Sequence, residues 1–473
     1  MEEAGSNINP LALLFLIAMS AVLLRSSRQK AVSAILVTAA MIPLGQQLVV
    51  FGLHFHFLRI LLLVGLVRVV TRQEIRDFKM NRMDRLFLAW ALIGLVCGFI
   101  NKPGAEVFGA AYNSLGTYFL IRTLTEEPQD TVGHLRALSV VVIVIAGSMC
   151  FEVITRRNPF FIFGGVPEVL MERDDRVRCQ GPFRIPILAG TFAATLFPLM
   201  VGLWFQDPTR KSRAILGIVG SILVTILSNS SGPLLSLVAA LAGTSLWLMR
   251  GRMHLFRRTS VIIIIGFALV MKAPVWFLIA RVSDLIGGGG WHRSFVIDVA
   301  VKHFSEWWFI GTGRTAHWAE GYQVLLVDPN NMDITNHFVA QGIGGGLWML
   351  GLFIAMIVFS FKLVGRGVRG DFRSHVHPKM IWAMGVALGA HCTAFISISY
   401  FDQISVFWFW LMAQFSVLAQ NENTAVRTLH PRAVEEYSAL NNRCLSSDSV
   451  AEIQRFDTPA IPFSPYRSHK NRL

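Results

Sequence analysis

Long apolar segments separated by short basic clusters dominate the chain. Runs of 15 to 20 hydrophobic residues recur between Leu11 and Ala419, and a helix of that length spans the hydrocarbon core of a bilayer. The runs are continuous rather than alternating, which indicates helices and argues against a barrel. The pattern therefore predicts an all-α polytopic membrane protein.

The basic clusters divide the apolar sequence into 12 to 13 predicted transmembrane helices. The clusters are 25–30, 68–85, 122–136, 210–213, 250–258, 362–379 and the tail after 420. The spans are predicted near 10–24, 31–46, 55–70, 86–100, 108–124, 137–155, 187–205, 214–229, 232–249, 259–275, 337–361, 380–399 and 405–419. Residues 1–420 would form the membrane domain, and the polar segment 421–473 is predicted to be a disordered cytoplasmic tail.

Composition and charge support this organisation. The chain is 53% hydrophobic and only 15% charged, which excludes a soluble enzyme and a disordered chain. Five cysteines without a CxxC pair exclude a secreted disulfide scaffold. Of the 43 Lys and Arg, 30 fall on the predicted cytoplasmic side and 13 outside. This asymmetry predicts an outer N-terminus and a cytoplasmic C-terminus. It also explains the net charge of +14, so a nucleic-acid partner is not needed to account for that charge.

Two predicted outer loops, about 156–186 and 276–336, are long enough to hold a site. In the second loop, an amphipathic helix is predicted between His292 and Trp307, lying near the membrane–water interface. Its apolar positions recur at helical spacing, and Asp298 and Lys302 form an i,i+4 pair on the opposite side. The first loop carries six of the outer basic residues, namely Arg156, Arg157, Arg173, Arg176, Arg178 and Arg184.

Arginine is uncommon on an outer face, so this cluster calls for a partner. For Arg173 and Arg176, pairing with Glu172, Asp174 and Asp175 of the same loop is favoured. The planar guanidinium binds phosphate or carboxylate in a bidentate manner. A pyrophosphate at the outer leaflet would suit Arg178, Arg184 and Arg293. The Gly181-Pro182 pair predicts a tight turn that could aim the first two side chains at the bilayer surface. For these two, a structural role is an equally open alternative.

The segment 333–353 opens the span after the second loop with Asn336, His337 and a glycine-rich run. His337 could act as a general base near neutral pH, although a lone histidine at a span end is more often a capping or interfacial group. The glycines at 342 and 344–346 would allow a neighbouring helix or a lipid phosphate to approach the backbone closely.

Other polar and aromatic groups on the outer side have two open interpretations. Asp402 could be a base, but pairing with an outer arginine is favoured. The Ser/Asn-rich turn 227–232 is interpreted as a helical hairpin with polar caps. Tryptophans of the second loop could stack on sugar rings, although a position in the interfacial aromatic belt is favoured. They are Trp291, Trp307, Trp308 and Trp318.

The sequence contains no Walker, GxGxxG or HExxH motif, so neither cofactor nor metal is predicted.

The order of these motifs resembles the O-antigen ligase and O-antigen polymerase superfamily. RVRCQGPFRIP precedes a span, a small polar hairpin follows, and HRSFVIDVAVKHF lies in a long outer loop before TNHFVAQGIGGGLWMLG opens the next span. The resemblance covers roughly residues 50–420. It implies a metal-independent glycosyltransferase with a GT-C-like fold, acting on glycans carried by undecaprenyl pyrophosphate at the outer face of the bacterial inner membrane.

The resemblance also implies roles for particular residues. His337 corresponds to the loop histidine that accepts the acceptor proton, and Arg178 and Arg293 to the catalytic arginines. Candidate substrate-binding residues are Arg184, Asn336, His292, Asp402 and Trp291. The expected partners are lipid-linked oligosaccharide and membrane lipid, with other polysaccharide-assembly proteins as further candidates and no nucleic acid.

The departures from the family pattern favour a polymerase over a ligase. This chain has Ser230-Ser231 where Ser-Arg is frequent, Asn336-His337 where ligases have His-Asn, and Gln341 where a glutamate is frequent. A ligase that moves a finished glycan to another acceptor remains the alternative within this chemistry. A transporter or flippase, and a structural assembly subunit, are the alternatives of other classes. Few ionisable residues lie in mid-span, which favours an enzyme over a transporter.

Overall fold

A computed structural model describes residues 8–50, 53–76, 78–173, 176–285, 290–370 and 376–429. The protein is mostly helical, with 76% of residues in helices. In chain order the α-helices are α1 (Pro10–Arg25), α2 (Arg28–Met41), α3 (Phe57–Thr71), α4 (Arg82–Asn101), α5 (Ala105–Leu124), α6 (Asp130–Thr155), α7 (Pro186–Gln206), α8 (Lys211–Leu227), α9 (Ser231–Ser245), α10 (Met253–Val270), α11 (Leu278–Leu285), α12 (Trp291–Lys302), α13 (Phe304–Trp307), α14 (His337–Arg369), α15 (Pro378–Phe395) and α16 (Asp402–Leu429). All but α11, α12 and α13 coincide with a predicted apolar segment.

Among the described residues, five helical stretches are long and apolar enough to cross a membrane. They are Arg82–Asn101, Asp130–Thr155, Pro186–Gln206, Ser231–Val270 and His337–Arg369. Pro10–Arg25 is also apolar but shorter. Within the fourth stretch, a 3₁₀ turn at Leu246–Arg252 separates α9 from α10. These lengths and compositions are compatible with an all-α membrane protein.

Helix α7 lies at the centre of the bundle. It packs against α6, α8, α9 and α15, and 83% of its most apolar window is buried. A helix that is apolar on every side requires such surroundings. By contrast, none of the residues of α10 is buried, as expected of a helix whose neighbours are lipid chains. The segment that enters α7 is therefore anchored on a helix that is enclosed along most of its length.

Three short β-hairpins accompany the helices in the described part of the chain. Antiparallel hairpins form between β1 (Gln47–Val50) and β2 (Leu53–His56), between β3 (Met171–Arg173) and β4 (Arg176–Arg178), and between β5 (Leu326–Asp328) and β6 (Asn331–Met332). The span predicted at 31–46 is too long, because α2 ends at Met41 and the chain then turns into β1. Strand pairing from Gln47 with His56 to Val50 with Leu53 satisfies these backbone groups instead.

The helix predicted between His292 and Trp307 is present as α12, but it ends at Lys302, and the separate short helix α13 follows. In α12, the side chains Phe295, Val296, Val299 and Ala300 are buried together with Ser294. On the other side, Lys302 lies 3.2 Å from Asp298 in the expected i,i+4 ion pair.

The predicted span at 337–361 is interrupted rather than continuous. Gly345 and Gly346 have non-helical dihedral angles inside α14. The break releases backbone groups from the hydrogen bonds of the helix. One of them, Leu347 N, donates instead to Trp308 O of the second loop at 2.8 Å. The close approach expected of the glycines therefore occurs, and the partner is a loop segment of the same chain.

The last helix is longer than predicted. Helix α16 continues to Leu429, whereas the tail was expected to lack structure from residue 421. The remainder of that predicted tail, residues 430–473, lies outside the described residues. Residues Met1–Glu422 form one compact unit, and the residues of α16 after Glu422 belong to a second.

Candidate active site

Arg178 is held by the backbone on both sides of it. In β4, Val177 O accepts a hydrogen bond from Asn229 Nδ2 at 2.6 Å, and Cys179 N donates to Leu227 O at 3.2 Å. Both contacts join β4 to the turn between α8 and α9. Arg178 thereby reaches the same turn with its side chain, and its Nη2 donates to Ser230 Oγ at 2.7 Å.

Arg293 reaches the next serine of that turn from the second loop. Its Nη2 donates to Ser231 Oγ at 3.0 Å, and its Nη1 donates to Ser283 Oγ of α11 at 3.0 Å. Ser294 fixes the orientation of α12, because its hydroxyl accepts from Ala280 N and donates to Trp276 O, both at 3.1 Å. Arg178, Arg293, Ser230 and Ser231 are called the arginine–serine cluster below.

No carboxylate among the described residues forms an ion pair with either arginine of the cluster. Other arginines of the first loop do have such partners, since Arg156 and Arg157 each lie 3.2 Å from a glutamate oxygen. The Nε atom of Arg178 is buried and has no hydrogen-bond partner among the described residues. The cluster therefore combines two cations with hydroxyl partners and a spare donor.

Burial lowers the pKa of both Arg178 and Arg293, and the nearby positive charge of Arg173 lowers each further. A guanidinium nonetheless stays charged at neutral pH, because its ordinary pKa is above 12. A cation that is partly withdrawn from water and has no counter-ion loses hydration without an equivalent return. An arriving anion would relieve that cost, so the electrostatics favour an anionic ligand.

The helical hairpin predicted at 227–232 is present between α8 and α9, but the Ser230 side chain does not cap α9. Helix α9 begins at Ser231, and its N-cap Ser230 makes no side-chain capping bond. The Ser230 hydroxyl instead accepts from Arg178 and donates to Ser228 O at 3.0 Å. A Cβ on Gly232 would collide with Ser397 Oγ, so the absence of a side chain there lets the turn before α16 pack against the cluster.

The turn that follows Arg178 is tied to the end of α6. Glu152 is buried, and its two carboxylate oxygens accept from Gln180 N and Gly181 N, each at 2.9 Å. Gly181 has a φ of +56°, which confirms the tight turn predicted there. Asn158 Nδ2 donates to Gly181 O at 2.8 Å. The sequence singled out neither Glu152 nor Asn158 as an anchor, although both are polar residues at the end of an apolar span.

Arg184 and Asp402 form the ion pair that the sequence favoured. Arg184 Nη1 lies 3.5 Å from Asp402 Oδ2. The arginine side chain is 69% exposed, so this pair is accessible and contributes little to stability. Gln403 Nε2 donates to Pro182 O at 2.9 Å and brings the start of α16 to the same turn.

Asn336 and His337 occupy enclosed positions at the start of α14. Asn336 is the N-cap, and its Oδ1 accepts from Val339 N at 3.1 Å. His337 is buried, and its Nδ1 accepts from Tyr400 N at 3.1 Å. Its Nε2 lies 3.2 Å from Gln341 Nε2. Both ring nitrogens therefore face protein groups rather than the arginine–serine cluster.

His292 and Trp291 begin α12 beside Arg293. The Nε2 atom of His292 is buried and has no hydrogen-bond partner among the described residues. Burial lowers the pKa of His292 more than the carboxylate and backbone of Asp333 raise it, so the ring is neutral at pH 7. Trp291 is 45% exposed and stacks on Phe295 with a ring-centroid distance of 4.8 Å.

None of these residues belongs to a group with metal-ligand spacing. In the described part of the chain, three His, Cys, Asp or Glu side chains come close enough to share a metal ion at His303, Glu306 and His317. No protein-family model matches this chain, and no curated protein matches it either.

Proposed function

We propose that this protein is an outer-face glycosyltransferase of the bacterial inner membrane that polymerises repeat units linked to undecaprenyl pyrophosphate. The observation that carries the proposal is the arginine–serine cluster. Two half-buried guanidinium groups from different loops meet at one hairpin without a counter-ion among the described residues. Such a site suits a pyrophosphate, whose oxygens accept bidentate hydrogen bonds from arginine.

The reaction would exchange one glycosidic bond for another. An acceptor sugar hydroxyl attacks the anomeric carbon of the donor, the bond from that carbon to the phosphate oxygen breaks, and undecaprenyl pyrophosphate leaves with the bonding electron pair. Negative charge grows on the departing pyrophosphate. Arg178 and Arg293 would stabilise that charge, the task that a metal ion performs in other transferases. The hydroxyl proton passes to a base.

Two histidines are candidates for that base. The family resemblance favours His337, which would become reachable only if the turn containing Tyr400 moved away from Nδ1. His292 is neutral, adjacent in sequence to Arg293, and has a buried Nε2 without a partner among the described residues. A free imidazole nitrogen is the group that general-base catalysis needs.

The accessible groups around the cluster suit the glycan. Trp291 offers an exposed aromatic face next to the arginine of α12, and such faces stack on sugar rings. Arg184 and Asp402 form an exposed, weak ion pair that sugar hydroxyls could replace. Asn336 is more enclosed than Trp291 and Arg184, and it would contribute by capping the start of α14.

A strain lacking the gene tests the reaction class. A gel of lipid-linked and surface glycans from that strain should show accumulated single repeat units and no long chains. Long chains that remain on undecaprenyl pyrophosphate would indicate the ligase alternative. An unchanged glycan profile would contradict glycosyl transfer and would return attention to transport or scaffolding.

Complementation of that strain tests the cluster. Arg178→Ala and Arg293→Ala should each reduce polymer synthesis by about 100-fold or more, as the loss of a transition-state donor does elsewhere. Arg156→Ala and Arg157→Ala are matched controls, because these loop arginines already pair with glutamates. The controls should stay within about twofold of wild type. Normal polymer from well-expressed cluster variants would refute the proposal.

The two candidate bases make different predictions. If His292 accepts the proton, His292→Ala should lower the turnover rate by about 100-fold while lipid-linked donor still binds. His337→Ala would then lower protein abundance more than turnover per molecule, because it empties an enclosed aromatic site. The reverse result, full abundance with lost turnover for His337→Ala alone, would assign the base to His337.

A further inference from the structure

Three metal-ligating side chains converge in the second loop, away from the arginine–serine cluster. The donor atoms of His303, Glu306 and His317 all lie within 4.8 Å of one another. His303 Nδ1 is 2.7 Å from Glu306 Oε1, and His317 Nε2 is 2.8 Å from Glu306 Oε2. The sequence contains no metal motif because these ligands come from two segments.

The two segments are held in position by a buried tryptophan. His303 and Glu306 belong to the short helix α13 and its N-cap, whereas His317 lies in the 3₁₀ helix Ala316–Ala319. Trp318 is fully buried, and its Nε1 donates to Glu306 Oε2 at 3.0 Å. Its ring also stacks on His303 at 5.3 Å with an interplanar angle of 13°. Outer partners of this kind orient the ligands of metal sites.

The donor set and its exposure fit a divalent transition-metal ion. Two imidazoles and one carboxylate, with the remaining position open to water, are ligands that Zn²⁺ accepts. Ligand atoms around a tetrahedral Zn²⁺ are about 3.3 Å apart, so small rotations of these side chains would suffice. His317 is 52% exposed, which leaves an entry path for the ion from solvent.

We propose that His303, Glu306 and His317 bind a divalent transition-metal ion of the Zn²⁺ class, which clamps α13 to the 3₁₀ helix Ala316–Ala319. The ion would take the place now filled by the hydrogen bonds between the glutamate and the two histidines. Because α12 separates Arg293 from His303 by about 15 Å, the ion would act on loop rigidity rather than on the transferred group. The proposal does not depend on the glycosyltransferase assignment.

Zn²⁺ titration of the purified full chain in detergent, stripped beforehand with a chelator, tests the site. Wild type should bind one equivalent of Zn²⁺, and the thermal unfolding midpoint should rise with Zn²⁺ concentration. His317→Ala and Glu306→Gln should each weaken binding by at least about tenfold and abolish the rise in the midpoint. His317 is exposed, so its replacement should leave the fold intact in the absence of metal.

Matched controls separate this site from others on the chain. His254→Ala removes an exposed histidine of α10, and Glu320→Gln removes a loop carboxylate that pairs with Lys302 rather than with a histidine. Both controls should bind Zn²⁺ as wild type does. Equal affinity and stoichiometry in wild type and His317→Ala, or failure of wild type to bind one equivalent, would overturn the proposal.

Discussion

At the scale of single residues, buried and half-buried arginines differ in the groups that compensate their charge. Arg122 lies 3.5 Å from the buried carboxylate of Asp84, and both contact Ser416. Arg178 and Arg293 have only hydroxyl partners among the described residues. A balanced pair supports the fold, whereas an unbalanced cation weakens it unless a ligand arrives. Arg122 therefore has the surroundings of a structural arginine, whereas Arg178 and Arg293 have those expected of ligand-binding arginines.

This contrast predicts opposite effects on stability. Asp84→Ala should destabilise the protein by about 3–5 kcal/mol, because it leaves Arg122 buried and unpaired. Arg178→Ala should leave the thermal midpoint unchanged or higher, since it removes an uncompensated charge. Tryptophan fluorescence of the purified variants during heating would measure both midpoints. A fall of the Arg178→Ala midpoint as large as that of Asp84→Ala would mean that Arg178 is structural.

At the scale of elements, the break in α14 joins the second loop to the bundle. Gly346 has a φ of +65°, and Thr312 N donates to Ile343 O at 2.9 Å beside it. The glycine run predicts that something approaches the backbone closely, because glycine lacks Cβ. It does not identify the partner, since that contact depends on how the preceding loop folds back.

Two glycines of α14 should respond oppositely to alanine. Gly346→Ala should destabilise the protein by about 1–3 kcal/mol, because the residue has positive φ and a Cβ would overlap the Phe309 carbonyl. At Gly351, a Cβ would meet nothing within 4 Å, so Gly351→Ala should be neutral or stabilise the helix by up to about 1 kcal/mol. Limited proteolysis would measure whether the second loop detaches from α14, because a detached loop is cut faster. Equal protease resistance of the two variants would refute the docking role of the break.

The helices were predictable from the sequence because a continuous apolar segment in an apolar environment can satisfy its own backbone hydrogen bonds only as a helix. The β1–β2 hairpin was missed because its strands lie at the margins of apolar runs. The alternation in Leu53-His54-Phe55-His56 is a period-2 signal that could have indicated a strand. Helix ends such as Met41 depend on local turn chemistry and are less well determined by hydrophobicity.

At the scale of the whole molecule, the site is assembled from segments far apart in sequence. Arg178 and Arg293 were selected from their predicted outer position and the family resemblance, and the structure brings both to the α8–α9 turn. Their serine partners were interpreted as caps because capping is a local rule that sequence can express. The actual pairing depends on the packing of α7, α8 and α9, which no local pattern encodes.

The distribution of charge bears on which end of the bundle faces the cytoplasm. Counted on the predicted topology, the excess of positive charge is about +16 on one side and about −2 on the other, and basic residues favour the cytoplasmic side. The two long loops lie on the side without the excess. The proposed function requires this orientation, since lipid-linked repeat units are polymerised at the outer face.

Cysteine labelling would test the orientation directly. In a variant that lacks the five native cysteines, Asn330→Cys places a thiol at an exposed position of the second loop, and Ser212→Cys places one at an exposed position of α8. A membrane-impermeant maleimide should label the first in intact spheroplasts and the second only after permeabilisation. Labelling of Ser212→Cys alone in intact spheroplasts would reverse the topology. It would also place Arg178 and Arg293 in the cytoplasm, where the proposed donor would not reach them.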